Sequence, residues 1–243
     1  MADLMASNRP PVLAHERFVA DRENFAGLDL AARFALIETT NLWGAATSVS
    51  GLGSEDSATA AIREALPALL QRLGARSLLD APCGDAGWIC RIKLDVDYTG
   101  IDIVPSLIEA NNLRVARGEL TGRFQIADIT RDALPPADVI LCRDCLVHLS
   151  FQNIDRAVAR FRDSGARFLL VTTFPEWDGN RDCEDGDWRA LNMAKAPFGW
   201  PAPHELINER CEEGGGGWRD KSLGLWRLDE LPQSGCSARL PMR

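Results

Sequence analysis

The chain has 243 residues, 46% of them hydrophobic, and a formal net charge of −8. That length and apolar content suffice for one sizeable core with additions rather than two full domains. The acidic balance argues against a protein that grips nucleic acid through its phosphates. No apolar run reaches the roughly 18 to 20 residues of a membrane span, and Met1 to Pro11 lacks the apolar centre of a secretory signal. The expected setting is cytoplasmic, with no nucleic-acid or membrane partner; oligomeric state is left open. Seven cysteines, an odd number scattered from Cys83 to Cys236, read as reduced thiols in a chain large enough not to need disulfides.

In chain order, Asp29 to Leu42 and Glu55 to Leu73 show helical apolar spacing, with the small residues of Trp43-Gly44 to Gly53-Ser54 between them. Ser54 is placed to cap the second helix. Ser77 to Ala81 is a short apolar strand, and the turn Pro82-Cys83-Gly84-Asp85-Ala86-Gly87-Trp88 is expected to open another helix. Asp102, twenty-two positions after Asp80, stands where the second strand of a βαβ unit ends, and its carboxylate can accept bonds from both hydroxyls of a ribose. Phe124 to Asp128, Asp138 to Cys142 and Arg167 to Thr173 follow as three further strands. Leu206 to Glu212 and Ser222 to Leu228 read as an antiparallel pair across Gly214 to Gly217.

This order of strands and acids resembles the class I S-adenosylmethionine-dependent methyltransferases. The resemblance covers roughly residues 40 to 231 and implies an α/β, Rossmann-like seven-stranded sheet with a C-terminal antiparallel hairpin. It implies S-adenosylmethionine as cofactor, its methionine part held by Asp80 and Gly84, its ribose by Asp102 and its adenine by Asp128 and the backbone of Ile129. Pro82 and Ala86 stand where two of the family's loop glycines would be, which leaves the shape of that loop open. A narrower set of motifs is Trp43-Gly44, Ser48-x-Ser50-Gly51-x-Gly53-Ser54, Asp80-Ala-Pro-Cys-Gly-Asp85, Cys142-Arg-Asp-Cys-Leu-Val-His-Leu-Ser150 and Lys221-Ser-Leu-Gly-Leu-Trp226. These are similar to a bacterial methyltransferase group, without an assigned acceptor, often found with sugar and capsule or secondary-metabolite assembly enzymes. On that likeness residues 1–54 form a helical lid and residues 55–243 the methyltransferase domain. Trp43, Ser50, Gly51, Trp88, Ile103, Cys142 and Arg143 then complete the cofactor site.

Methyl transfer needs an aligned, desolvated nucleophile more than it needs electrophilic help. A hydroxyl acceptor gains from a base near neutrality, for which His148 is the first candidate. Asp144 is the second, or an orienter of His148, if the two lie four apart on one helix. The stretch after the fifth strand, about 174–203, leaves the C-terminal edge of the sheet, where open α/β sheets bind ligands. Its Arg181, Trp188, Arg189 and Asn192 are candidate contacts to a small polar acceptor, and the alternative is a solvated acidic loop. That loop has no spacing diagnostic of a metal, and Cys142-x-x-Cys145 without a second pair reads as packing. The expected activity is methylation of a hydroxyl on a sugar or secondary-metabolite intermediate. Two alternatives are an N- or carboxyl-directed enzyme, which needs no strong base, and a cofactor-binding regulator without turnover.

Overall fold

The computed structural model describes residues 9–233. Seven strands form one sheet in the order β3-β2-β1-β4-β5-β7-β6, from β1 (Ser77–Asp80), β2 (Asp97–Asp102), β3 (Arg123–Ile126), β4 (Val139–Cys142), β5 (Phe168–Thr173), β6 (Glu205–Asn208) and β7 (Ser222–Arg227). The first five run parallel, and β7 pairs antiparallel with both β5 and β6. This is the sheet and hairpin expected from the sequence.

The central strands read as unbroken apolar runs because both of their faces are covered. Leu79, Ile140, Cys142, Leu169 and Val171 enter one core, while Leu78, Val139, Leu141 and Leu170 enter the other. Among the described residues five helices of eight or more residues surround the sheet: α1 (Leu13–Ala20), α2 (Leu30–Thr40), α3 (Asp56–Arg72), α4 (Pro105–Ala116) and α5 (Phe151–Asp163). On α3 the buried Thr59, Ile62, Leu66, Leu69 and Leu70 recur at helical spacing, as one stripe against the second core requires. None of the helices among the described residues is long and apolar enough to cross a membrane.

Two local expectations are corrected. Residues 81–96 hold only a short 3-10 turn, Ile89–Arg91, so no α-helix joins β1 to β2. Gly84 (φ 55°) and Ala86 (φ 49°) bend the chain there with left-handed backbone, and the turn is tied to α4 through Asn111 Nδ2 to Gly84 O at 2.9 Å and Arg114 Nη1 to Asp85 O at 2.7 Å. Ser54 does not cap α3. Its hydroxyl donates to Ser50 O at 3.2 Å, and Glu55 occupies the cap position without a side-chain bond to the helix, its carboxylate accepting from Ala46 N instead.

The acidic loop after β5 has structural partners. Ser150 caps α5, and Asp182 Oδ1 and Asp185 Oδ1 each accept, at 2.7 Å, from the backbone N–H groups of Phe151 and Ser150. Carboxylates at the start of a helix meet its free N–H groups and the positive end of its dipole. The same loop anchors the N-terminal segment, through His15 Nδ1 to Asp187 Oδ1 at 2.8 Å, Arg22 to Glu184, and Arg33 Nη1 to Asp185 O at 3.1 Å.

Candidate active site

Parallel strands deliver their last residues to one edge of the sheet. Asp80 ends β1, Asp102 ends β2, Asp128 lies two residues past β3, and Arg143 and Asp144 follow β4 directly. They line a cleft of about 940 Å³, counting the space open to solvent at its mouth. Trp43, Ser50, Gly84, Trp88, Ile103, Ile129 and His148 share that lining, so ten of the twelve residues expected at the cofactor meet here with both candidate bases. Cys142 is sealed in the core, and its neighbour Cys145 reaches the cleft in its place; Gly51 lies on a second cleft.

Two buried acids dominate this cleft. Asp102 accepts from Gly84 N at 2.9 Å on Oδ2 and from Val104 N at 3.0 Å on Oδ1. Burial still pushes it up to about 6 against those bonds. Asp80 accepts from Tyr98 Oη at 2.7 Å, and burial pushes it up to about 7. Neither has a salt bridge among the described residues. Two uncompensated carboxylates in a partly apolar cleft suit a ligand that carries a cation and hydroxyl donors. Asp128 accepts from Thr130 N at 2.8 Å and from Thr130 Oγ1 at 2.7 Å, which fixes its carboxyl beside Ile129.

The small-residue loop before α3 closes over the turn after β1. Asp85 N donates to Ser50 Oγ at 3.0 Å, and Ser48 Oγ donates to Asp85 Oδ2 at 2.7 Å. A Cβ on Gly84 would overlap Ser50 Oγ, so glycine at this position is what lets the loop lie down. Helix α2 contributes Leu30, Phe34 and Glu38 to the cleft, four residues apart and so on one face. Sequence reasoning missed these three, although their spacing was visible.

At the back of this cleft lies a ring of four charges, three of them buried and the fourth, Asp144, partly exposed. Arg143 Nη2 donates to Glu209 Oε2 at 2.7 Å and stands 3.4 Å from Asp144. Lys221 Nζ donates to Asp144 Oδ2 at 2.6 Å and stands 3.4 Å from Glu209. Lys221 and Arg143 hold Asp144 down at about 2, despite its partial burial. Arg143 also donates to Gly53 O at 2.7 Å, which fastens the loop to the ring. Asp144 has left-handed backbone (φ 49°) and precedes the short turn Leu146–His148, so it does not share a helix with His148. The orienting group is instead the carbonyl of Asp187, 2.9 Å from His148 Nδ1. A carbonyl only accepts, so Nδ1 carries the hydrogen and Nε2 keeps its lone pair. Burial lowers His148 to about 4, which corrects the near-neutral base expected from the sequence to an imidazole held uncharged, and its ring stacks on Trp43 at 4.5 Å.

Trp43, Ser50, Asp144 and His148 also line the second cleft, of about 530 Å³ on the same measure, together with Phe174, Trp188, Trp218, Glu213 and Lys221. Of the four residues expected at the acceptor, Trp188 alone lines it. Arg189 donates to Leu146 O at 2.7 Å and to Leu149 O, stacks on Phe151, and so braces the chain around His148. Asn192 is buried and donates to Pro175 O and Trp177 O, while Arg181 is exposed. Among the described residues no group of three His, Cys, Asp or Glu is placed to hold a metal ion.

Residues 78–164 match the family model described as a methyltransferase domain. No curated protein matches the chain in sequence. Among solved structures, the methyltransferase domain of bacterial CtHen1-C aligns at 16% identity and TM-score 0.49, covering 70% of this chain and 98% of that one. TehB from Haemophilus influenzae aligns at 16% and 0.48, covering 68% and 61%. The PH0226 protein from Pyrococcus horikoshii aligns at 17% and 0.42, covering 49% of this chain and 59% of its own length. Likenesses this distant add no weight to the match over residues 78–164. That stretch, which carries Asp80, Asp102, Asp128 and His148, is a methyltransferase domain of the kind that takes S-adenosylmethionine as methyl donor, and the first cleft has the residues to hold that cofactor.

Proposed function

We propose that the chain is an S-adenosylmethionine-dependent methyltransferase acting on a hydroxyl of a small polar acceptor, with His148 as general base. When bound, the cofactor supplies an electrophilic methyl group on a sulfonium. Asp80 would compensate the charge of its ammonium, Asp102 would accept from its ribose hydroxyls, and Asp128 with the backbone of Ile129 would hold its adenine. The observation that carries the reading is His148 at the junction of the two clefts, with Nδ1–H committed to Asp187 O and Nε2 free to accept a proton. Trp43, stacked on the imidazole, and the Ser48 to Gly53 loop keep water from the junction. The likeness to a bacterial group found beside sugar and capsule assembly enzymes supports a hydroxylated acceptor. The same proposal takes residues 1–54 as a lid, residues 55–243 as the catalytic domain with the acceptor-binding insertion at about 174–203, and no nucleic-acid partner.

His148→Asn tests it, because the amide can still donate to Asp187 O but cannot take the proton. We expect kcat to fall at least about 100-fold, within the range of general-base contributions, with affinity for S-adenosylhomocysteine kept within about threefold. A rate that survives the change would mean that the acceptor needs no base, as for an amine or a carboxylate.

A further inference from the structure

Resting on the methyl-transfer reading above, we propose that the second cleft is the acceptor site and that its ligand is an uncharged hydroxylated ring, with compounds bearing a carboxylate or phosphate excluded. Three aromatic side chains shape it. Phe174 and Trp188 meet at 87°, Phe174 and Trp218 at 80°, and Trp188 and Trp218 at 80°, with centroids 6.0, 5.6 and 5.0 Å apart. Three mutually near-perpendicular rings make the corner of a box. A flat ligand laid on one wall meets the edge of another, the arrangement that aromatic quadrupoles favour. Trp43 and His148 stand at the open side, toward the first cleft.

The polar groups of the cleft suit neutral oxygens. The indole Nε1–H groups of Trp43 and Trp218 are buried and have no acceptor among the described residues. Glu213, which burial pushes above its ordinary value, offers a carboxyl to a hydroxyl, and His148 Nε2 offers a lone pair.

The charges argue against an anion. The two cations nearest the cleft, Lys221 and Arg143, are both bonded to both Asp144 and Glu209, so the ring of four is balanced. Arg9, over the Trp177 and Trp218 rings, is paired with Asp220. An incoming carboxylate would have to draw Lys221 from Asp144 or Glu209, which leaves one of these acids short of its cation, or sit beside Glu213 without compensation.

The test uses matched pairs on the full-length protein saturated with S-adenosylhomocysteine, read by quenching of tryptophan fluorescence and by calorimetry. One pair is methyl β-glucopyranoside and methyl β-glucopyranosiduronate; the other is 4-hydroxybenzamide and 4-hydroxybenzoate. We expect the neutral member of one pair to bind at least tenfold more tightly than its acid. The pair that responds distinguishes a sugar ring from a phenol. Trp188→Ala should weaken that binding at least tenfold and leave S-adenosylhomocysteine affinity within twofold; Trp188 is only half-buried, so the variant should fold. An acid that binds as well as its neutral partner, no binding by either pair, or binding that ignores Trp188 would overturn the proposal. Failure of S-adenosylhomocysteine itself to bind would instead overturn the methyl-transfer reading.

Discussion

Replacing Asp80 by Asn sets the stability of the empty protein against its affinity for cofactor. The Asp80 carboxyl is buried and has no cation bonded to it, and burial moves it from 3.8 to about 7 in spite of the bond from Tyr98. At 1.36 kcal/mol per pH unit, that corresponds to about 4 kcal/mol by which folding disfavours the charged form. The folded state keeps this proton over a range where the unfolded chain has released it. The contribution of Asp80 therefore lowers the unfolding free energy as pH rises from about 4 to about 7, and is level above that. Asparagine carries no charge and can still accept from Tyr98, but its amide needs an acceptor and costs about 1–3 kcal/mol if none is found. The variant should thus be more stable than wild type by about 1–3 kcal/mol at pH 8, or about 3–9 °C in Tm for a chain of this size, with the advantage gone by pH 4. Urea unfolding of both proteins at pH 4, 6 and 8 measures the difference. Calorimetry at pH 8 should show S-adenosylmethionine binding at least about 30-fold weaker, since truncating one partner of a buried charge pair costs about 2–5 kcal/mol. A variant less stable than wild type at pH 8, or equally stable at every pH, would refute the claim that Asp80 waits in the cleft as an uncompensated acid.

Three further substitutions probe the parts around it. Gly53→Ala drives a Cβ into Asp144 Oδ2 and to 3.1 Å from Lys221 Nζ, so either the loop or the Asp144 carboxylate must shift. kcat/KM should fall roughly 10- to 100-fold in steady-state assays while Tm changes little, because small displacements at a reacting site weigh heavily on rate. Lys221→Met leaves Asp144 and Glu209 to share one cation and should cost about 3–5 kcal/mol in chemical unfolding. Ser150→Ala removes the hydroxyl that caps α5 and should cost about 1 kcal/mol by the same measurement, with cofactor affinity unchanged.

The sheet was legible in the sequence because buried parallel strands leave apolar runs such as Val139 to Cys142, and because Asp80 and Asp102 mark strand ends at a spacing that a βαβ unit fixes. Three features were hidden for different reasons. The crossover from β1 to β2 was read as helical from its glycines, yet Gly84 and Ala86 bend it with left-handed backbone and only a short 3-10 turn forms. The acidic run Asp182 to Asp187 looked like a ligand grip because nothing in sequence reports that it folds back to the start of α5, 31 and 35 residues earlier at the two bonds. Arg143, Asp144, Glu209 and Lys221 lie up to 78 positions apart, and only the pairing of β7 with β5 and β6 brings them together. His148 was singled out on its intrinsic chemistry. Its orienting partner is a backbone carbonyl, and that kind of partner leaves no mark in a sequence.

The central claim is that the C-terminal edge of this sheet holds S-adenosylmethionine. Calorimetric titration of S-adenosylmethionine, S-adenosylhomocysteine and NAD into wild type and Asp102→Ala tests it most directly. Micromolar binding of the first two, none of NAD, and a loss of at least about 100-fold in the variant is the result expected. No binding of either methyl-cycle compound, or binding indifferent to Asp102 in a variant that remains folded, would contradict it.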